Sequence, residues 1–398
     1  MRILFIAWDG PYVNYLDGLF LPIFSGLKKY GYEFHILHFT WADKQSVDAI
    51  TESCKKENIP YRHVKVWTWP LPVIGKYLTL LQAHRHALKF IAENNIEVIM
   101  PRTTMPARIA LTVLRYKPNL KLIFDADGLP IEEHVDFAGL KKGSFWYNQL
   151  KKIEKEIVAK AELILCRSSK AIEFLVQQYG EDKRSKFHVV INGRNESMFQ
   201  RSVENEIAKT KESLVIPPDC FVAVYSGSLG PQYGVDQMLY LHEMLLRWNP
   251  NAYLLILTGN PGYLSRRLPK SLHHVLIKRV LVQEVPRYLS IANIAFALRK
   301  AAFSMQGVSP IKLGEYLLIG LPVIASAGIG DTEDILQNKP FCFVLNDFSE
   351  ASLDKAVDWI IHRAANTDPQ DARQCGEAFF GLRKAVESYR LALLKLNA

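Results

Sequence analysis

Short apolar runs alternate with longer amphipathic ones, and the alternation happens twice along the chain. RILFIAW, YEFHILHF, IEVIM, KLIFDADG, ELILCRS and KFHVVING come first, and CFVAVYSG, AYLLILTGN, HHVLIKRV, IAFALRK, VIA and FCFVL follow. Each is three to nine residues with an apolar core rich in Val, Ile, Leu and Phe, which predicts a strand buried on both faces. The stretches between them carry helical spacing, such as LFLPIFSGLKKYG closed by Gly31, ARIALTVLRY, residues 147–161 and KAIEFLVQQYG. Strand and helix in regular alternation predict α/β domains with parallel sheets, doubly wound. The polar segment RSVENEIAKTKESLVIPPD interrupts the pattern, so a linker is predicted near 195–215. The domains expected are 1–195 and 196–375, with a last helix over 376–398. No G-x-G-x-x-G follows the first strand, so a dinucleotide fingerprint is not supported.

The most informative stretch is Ser304 to Ser326, SMQGVSPIKLGEYLLIGLPVIAS. Ser309 reads as a helix cap, Pro310 as the first helical position, and Gly320 as the stop before the strand Val323-Ile324-Ala325. A loop carrying Gly307 thus enters a helix N-terminus, where free N–H groups and the helix dipole attract an anion. Lys312 falls in the first turn and Glu315 one turn later. A cation and a carboxylate there suit a nucleotide, with phosphates at the tip and ribose hydroxyls on the carboxylate. For an arbitrary helix, the simpler reading is a solvated charged face.

SPIKLGEYLLIGLPVIA resembles the nucleotide-sugar signature of GT-B glycosyltransferases, in particular the retaining family 4. Glu315 matches the second glutamate of that family's pair, while the first falls at Gly307. The opening YSGSLGPQYG is similar to the family's glycine-rich loop, and its usual arginine and lysine fall at Ser228 and Tyr233. Gly227 and Gly230 still let backbone N–H groups approach phosphate. Gly31-Tyr32-Glu33-Phe34 and Asn192-Gly193 with Phe199 resemble further elements of the family, and the resemblance runs over nearly the whole chain. It implies two Rossmann-like domains facing each other, with the C-terminal helix crossing back to the first. The donor nucleotide sugar would lie on the C-terminal domain, at Gly227, Ser228, Gly230, Gly307, Ser309, Lys312 and Glu315. The acceptor would lie on the N-terminal domain, at Asp9 and Tyr12 of the first loop. Arg299, at a strand exit close to Gly307, is a candidate substitute for the missing basic pair. With Lys312 it would stabilise the departing diphosphate, and no cofactor beyond the nucleotide-sugar co-substrate is implied.

Arg102, Asp125 and Asp127 are further candidates by position, because doubly wound sheets bind ligands at strand C-terminal ends. Asp125-Ala126-Asp127 is D-x-D, the metal signature of the other large glycosyltransferase fold. It lies in the wrong half for that role, so the two aspartates are assigned to the acceptor side as catalytic contacts and no metal is expected. Asp127-Gly128 alone is equally well a turn.

Charge sharpens the acceptor. The net charge of the 398 residues is +9, with 28 Lys/Arg against 21 Asp/Glu in residues 1–200 and 21 against 19 in the remainder. The basic excess of the first half suits anionic lipid headgroups or a diphosphate-linked acceptor. HVKVWTWPLPVIGKYLTLLQAHRHALKF (63–90) mixes Trp67, Trp69 and Tyr77 with Lys65, Lys76, Arg85 and Lys89. Exposed, it would be an interfacial membrane contact; buried, a strand, a turn and a core-facing helix. No apolar run approaches the ~18 residues that span a bilayer, no basic-aromatic repeat points to nucleic acid, and five isolated cysteines fit a reduced compartment. The N-terminus shows no signal-peptide pattern, so a cytoplasmic protein is expected, peripheral on the inner membrane face if the contact is real. The expected reaction is glycosyl transfer with retention to a lipid-linked saccharide, as in lipopolysaccharide or capsule synthesis. The alternatives are a nucleotide-sugar 2-epimerase of the same fold and a non-catalytic nucleotide-sugar-binding partner subunit.

Overall fold

The structure is a computed structural model and describes residues 1–11 and 15–396. The chain divides into two compact units: Met1–Ile191 with Gln306–Val308 and Ala385–Ala398, and Asn192–Met305 with Ser309–Lys384.

The first unit runs β1 (Arg2–Asp9), α1 (Leu21–Lys28), β2 (Glu33–Thr40), α2 (Lys44–Lys56), β3 (Tyr61–Lys65), α3 (Pro72–Asn94), β4 (Val98–Pro101), α4 (Thr104–Tyr116), β5 (Lys121–Asp127), α5 (Pro130–Phe137), α6 (Phe145–Lys160), β6 (Leu163–Cys166), α7 (Ser169–Tyr179) and β7 (Phe187–Val189). The strands form one parallel sheet in the order β3-β2-β1-β4-β5-β6-β7. Order reverses between β1 and β4, so a crevice opens at their C-terminal ends. Residues 385–396 complete this unit. Val386 packs so closely on α1 that a Cβ on Gly26 would lie 2.5 Å from it. Ser388 Oγ accepts from Ile191 N at 3.1 Å, the Leu396 carbonyl accepts from Lys121 Nζ at 2.8 Å, and Tyr389 is fully buried.

The second unit runs α8 (Glu204–Ser213), β8 (Val222–Ser226), α9 (Val235–Trp248), β9 (Tyr253–Leu257), α10 (Gly262–Ser265), β10 (Val275–Lys278), α11 (Val285–Leu289), β11 (Ile294–Ala297), α12 (Ile311–Ile319), β12 (Val323–Ser326), α13 (Thr332–Leu336), β13 (Cys342–Leu345), α14 (Glu350–His362) and α15 (Pro369–Phe380). Its parallel sheet has the order β10-β9-β8-β11-β12-β13, the same winding as the first. Alternation along the strands fills both faces: Val222, Val224, Ala295 and Val323 join one core, while Ala223, Tyr225, Phe296 and Ile324 join the other.

Three expectations are corrected. The region 195–215 is not a bare linker, since α8 occupies ten of its residues and buries Ile207 and Thr210. Its polarity hides the helix, because only a thin stripe needs covering. The terminal helix is two helices, α15 and α16 (Leu382–Leu394), broken at Gly381. Arg194 pairs there, its N–H donating to Phe380 O at 2.7 Å and its carbonyl accepting from Leu382 N at 2.8 Å. Finally, α12 starts at Ile311 and not at Pro310. Pro310 is itself the cap residue, extended at ψ 108°, and Ser309 makes no side-chain cap. Gly320 ends the helix in the left-handed region at φ +84°, as its position predicts. Among the described residues no helix is long and apolar enough to cross a membrane.

Candidate active site

In the second unit the switch point of the sheet gathers most of the residues expected to hold the donor. Gly227 leaves β8 at φ +133°, its N–H bonded to Leu257 O at 2.9 Å. An L side chain there would be strained and would meet Lys312 Nζ at 3.0 Å. Asn260 holds the following turn, accepting from Leu229 N at 2.9 Å and donating to Leu229 O at 2.7 Å. Ser228 is exposed on that turn, and Gly230 is buried in it.

Every residue of α12 from Lys312 to Ile319 is buried, which rules out a solvated charged face. The helix is seated by close backbone approach. A Cβ on Gly314 would lie 2.5 Å from Phe380 Cβ, and one on Gly376 2.8 Å from Leu318 N. Lys312 is 9% exposed and Glu315 7%. Lys312 Nζ donates to Tyr225 Oη at 2.5 Å, and the Tyr225 hydroxyl donates on to Ser228 O at 2.6 Å. The same ammonium lies 4.3 Å from the ring centre of Tyr233, and Arg299 Cζ lies 4.8 Å from that ring. Two cations therefore share one aromatic ring, an arrangement that the ring's quadrupole favours. Among the described residues neither pairs with a carboxylate, and Arg299 Nε is buried without a hydrogen-bond partner. Burial drives the Lys312 amine well below its ordinary pKa, Arg299 pushes the same way, and Glu315 opposes them. An anion placed here would relieve both the desolvation and the repulsion. Arg299 is held from its backbone, N–H to Ser326 Oγ at 3.0 Å.

Glu315 Oε1 pairs with Arg194 Nη2 at 2.7 Å. Arg194 is absent from the sequence-based expectation; a lone arginine behind the Asn192-Gly193 turn is the signal that could have found it. Tyr225 and Tyr233 were missed as well. A tyrosine inside a buried strand reads as core, and residue 233 reads as a loss of charge. The Ser309 carbonyl accepts from Asn192 Nδ2 at 3.2 Å. Gly307 belongs to the first unit, where a Cβ would meet Leu129 N at 2.7 Å, so close packing accounts for its glycine.

The first unit has its own cluster at the exits of β1, β4, β5 and β6. Arg102 Nη2 donates to Asp127 Oδ2 at 2.6 Å. Arg167 contacts both Asp125 oxygens, at 2.8 and 2.9 Å, and its Nε lies 3.4 Å from Asp127 Oδ1. The assignment of Asp125 to the acceptor is thereby corrected. It is wholly buried, and the Arg167 guanidinium occupies its carboxylate. Burial raises the Asp125 carboxyl above its ordinary pKa against the pull of Arg167. Asp127, with φ +63° and a side chain 30% exposed, does reach solvent, as does the edge of Arg102. Asp9 meets His38 Nε2 at 2.6 Å, and the other ring nitrogen meets Tyr61 Oη at 3.0 Å. Tyr12 lies outside the described residues.

Residues 206–378 match the family model described as glycosyl transferases group 1. Compared with curated proteins, the sequence matches none. Among solved structures, the chain is similar to Anabaena Alr3699/HepE in complex with UDP-glucose, at TM-score 0.72 and 15% identity over 100% of this chain and 99% of that one. It is similar to a glycosyltransferase from Rickettsia africae ESF-5, at 0.73 and 15% over 99% of both chains. It also resembles UDP-GlcNAc 2-epimerase from Neisseria meningitidis bound to UDP-GlcNAc, at 0.62 and 11% over 99% of this chain and 100% of that one. With two parallel-sheet Rossmann-like domains and that match over its second half, the chain is a glycosyltransferase of GT-B fold carrying a glycosyl transferases group 1 domain.

Proposed function

We propose that this glycosyltransferase takes a UDP-sugar as donor and transfers the sugar, with retention, to a lipid-linked saccharide. The observation that carries the donor reading is the pair of cations on the Tyr233 ring, Lys312 and Arg299, beside the Gly227 turn. A departing nucleoside diphosphate gains negative charge as its bond to the anomeric carbon breaks, and preorganised cations and N–H groups stabilise that charge most where water is excluded. These cations come from the exit of β11 and from α12, while the loop positions where the family's usual pair would fall carry Ser228 and Tyr233. Glu315, steadied by Arg194, is the carboxylate for the ribose hydroxyls. Uridine as the base is supported by the UDP complexes of Anabaena Alr3699/HepE.

In the transfer, an acceptor hydroxyl attacks the anomeric carbon from the face of the leaving group. The C–O bond to the diphosphate breaks, its electron pair stays on the diphosphate, and the hydroxyl proton passes to a phosphate oxygen. No covalent intermediate with the protein is involved. Arg102 and Asp127 reach solvent beside the attacking end of the first unit's sheet and are the acceptor contacts. The Asp-x-Asp triplet is held by guanidinium groups, so diphosphate stabilisation falls to Lys312 and Arg299. Activity is expected to survive EDTA, and Asp127→Asn to spare nucleotide binding. Loss of turnover in EDTA, restored by Mg²⁺ or Mn²⁺, would overturn this part.

The test is a thermal-shift screen with UDP-, GDP-, CMP- and dTDP-sugars, followed by turnover of the best donor with polyprenyl-diphosphate saccharides in detergent and with soluble glycans. Stabilisation by UDP-sugars and transfer to the lipid-linked acceptor, with the anomeric configuration kept, is the expected result. Donor isomerised without acceptor would favour an epimerase, and binding without turnover a partner subunit.

A further inference from the structure

Over the first turns of α3 the usual arrangement of a surface helix is reversed. There the face turned to the protein is made of Gly75, Thr79 and Ala83, while Val73, Ile74, Tyr77, Leu78 and Leu81 are exposed; only toward its C-terminal end does the helix bury large side chains, Phe90 and Ile91. Large apolar side chains ordinarily face the core and small or polar ones the water. The segment before the helix behaves alike, with Trp69 82% and Leu71 59% exposed. This presentation is built in. A Cβ on Gly75 would lie 2.5 Å from Trp67 O, so the helix rests directly on the backbone of Trp67. Thr79 Oγ1 accepts from Trp67 N and donates to Gly75 O, both at 2.9 Å.

The charge around the patch is of one sign. Residues 58–92 contain Arg62, Lys65, Lys76, Arg85 and Lys89 and no Asp or Glu. Arg62 and Lys89 turn to Glu93, but among the described residues Lys65, Lys76 and Arg85 pair with no carboxylate. Lys76 Nζ lies 3.7 Å from the ring centre of Trp41.

The same rim carries more apolar surface. α3, α4 and α6 pack side by side; α3 and α4 begin at the C-terminal edge of the sheet because each follows a parallel strand, and α6, which comes after β5 and α5, runs back along them into parallel β6. Met105 is exposed at the start of α4, and Phe145 and Trp146 at the start of α6, behind exposed Lys141 and Lys142. Asp9, Arg102 and Asp127 sit at strand exits on this rim.

We propose that this rim of the first unit seats in the interfacial layer of a bilayer containing anionic lipid, with Trp67, Trp69, Leu71 and Val73 at the acyl boundary and Lys65, Lys76 and Arg85 on the phosphates. Tryptophans flanked by lysines suit that layer, where an amphipathic ring meets headgroups and basic residues meet anionic surface charge. A twofold pairing of copies through the patch would set these unpaired cations against one another, which the charge disfavours. The proposal deepens the acceptor reading above and rests on it for its purpose, but the surface is tested without donor or acceptor.

The full chain is sedimented with vesicles of phosphatidylcholine containing about 30 mol% phosphatidylglycerol. The expected result is binding at low salt that weakens in phosphatidylcholine alone and at about 0.5 M salt, with tryptophan emission quenched by brominated acyl chains. The Trp69→Ser/Val73→Ser double variant is expected to bind roughly tenfold or more weakly, with its melting temperature and UDP-induced shift unchanged. Absence of binding at low salt, or binding unaffected by the double variant, overturns the proposal, as does a wild-type dimer that the variant dissociates. Failure here with transfer to a lipid-linked acceptor intact in detergent removes the surface and leaves the acceptor. Vesicle binding without transfer to any lipid-linked acceptor does the reverse.

Discussion

At Lys312 the protein holds an amine where burial and the neighbouring Arg299 both work against its charge. The unfolded chain binds a proton there up to the ordinary lysine pKa, so folding releases it in the interval between the lowered folded value and that ordinary one. The stability cost is full below the folded pKa and fades as pH rises through this interval. Lys312→Met is therefore expected to raise the melting temperature at neutral pH and to weaken UDP binding about tenfold to a hundredfold, the worth of hydrogen bonds to a charged group. A diphosphate favours the charged form and so raises the amine's pKa, and calorimetry in two buffers of different ionisation enthalpy should find proton uptake on UDP binding once pH rises through the lowered folded value, lost in Lys312→Met. Equal heats in both buffers would show that the amine does not change state. The Glu315–Arg194 pair separates fold from function differently. Glu315→Ala removes the buried carboxylate of this ion pair and is expected to cost about 3–5 kcal/mol in denaturant titrations. Arg194→Met added to it should return much of that stability. If Glu315 holds the ribose, the double variant still binds UDP weakly; full affinity would make the pair purely structural.

The helix that carries both residues owes its place to two glycines. Gly314 meets Phe380, and Gly376 meets Leu317 and Leu318, so α12 and α15 approach more closely than any side chain allows. Gly314→Ala gains helix propensity but overpacks this contact, and a net loss of about 1–3 kcal/mol is expected, measured by chemical denaturation. A stabilised variant would mean that Phe380 yields easily. The strands around the helix were legible, because short apolar runs such as Val222–Tyr225 and Leu254–Leu257 have few other places to go. Lys312, Glu315 and Arg299 were legible as charges at a helix start and a strand exit. Their partners were not. That Tyr233 would gather two cations, or that Arg167 would claim Asp125, depends on side chains 66 and 42 positions away meeting across different strands, which no local pattern encodes. α8 stayed hidden because its exposed faces are as polar as a linker, and α3 was ambiguous because its spacing is helical whichever face looks inward.

Over the whole molecule, the first unit is discontinuous in sequence, since its core closes with residues 385–396. Tyr389 and Leu393 are buried there, Val386 fills the space above Gly26, and Lys121 and Ile191 bond to the segment. A chain ending at Lys384 would expose this apolar seat. It is expected to lose several kcal/mol from the first unit, seen by calorimetry as an early transition and by dye binding to exposed apolar surface. A single unchanged melting transition would show the segment to be dispensable. The arrangement also has a meaning in time. A ribosome adding about 5–20 residues per second makes Met1–Ile191 first, yet delivers the closing segment on the order of 10–40 s later. The half that is born first is the half finished last, and in the interval its unsealed flank is a place where chaperones, or a nearby membrane, can meet the nascent chain.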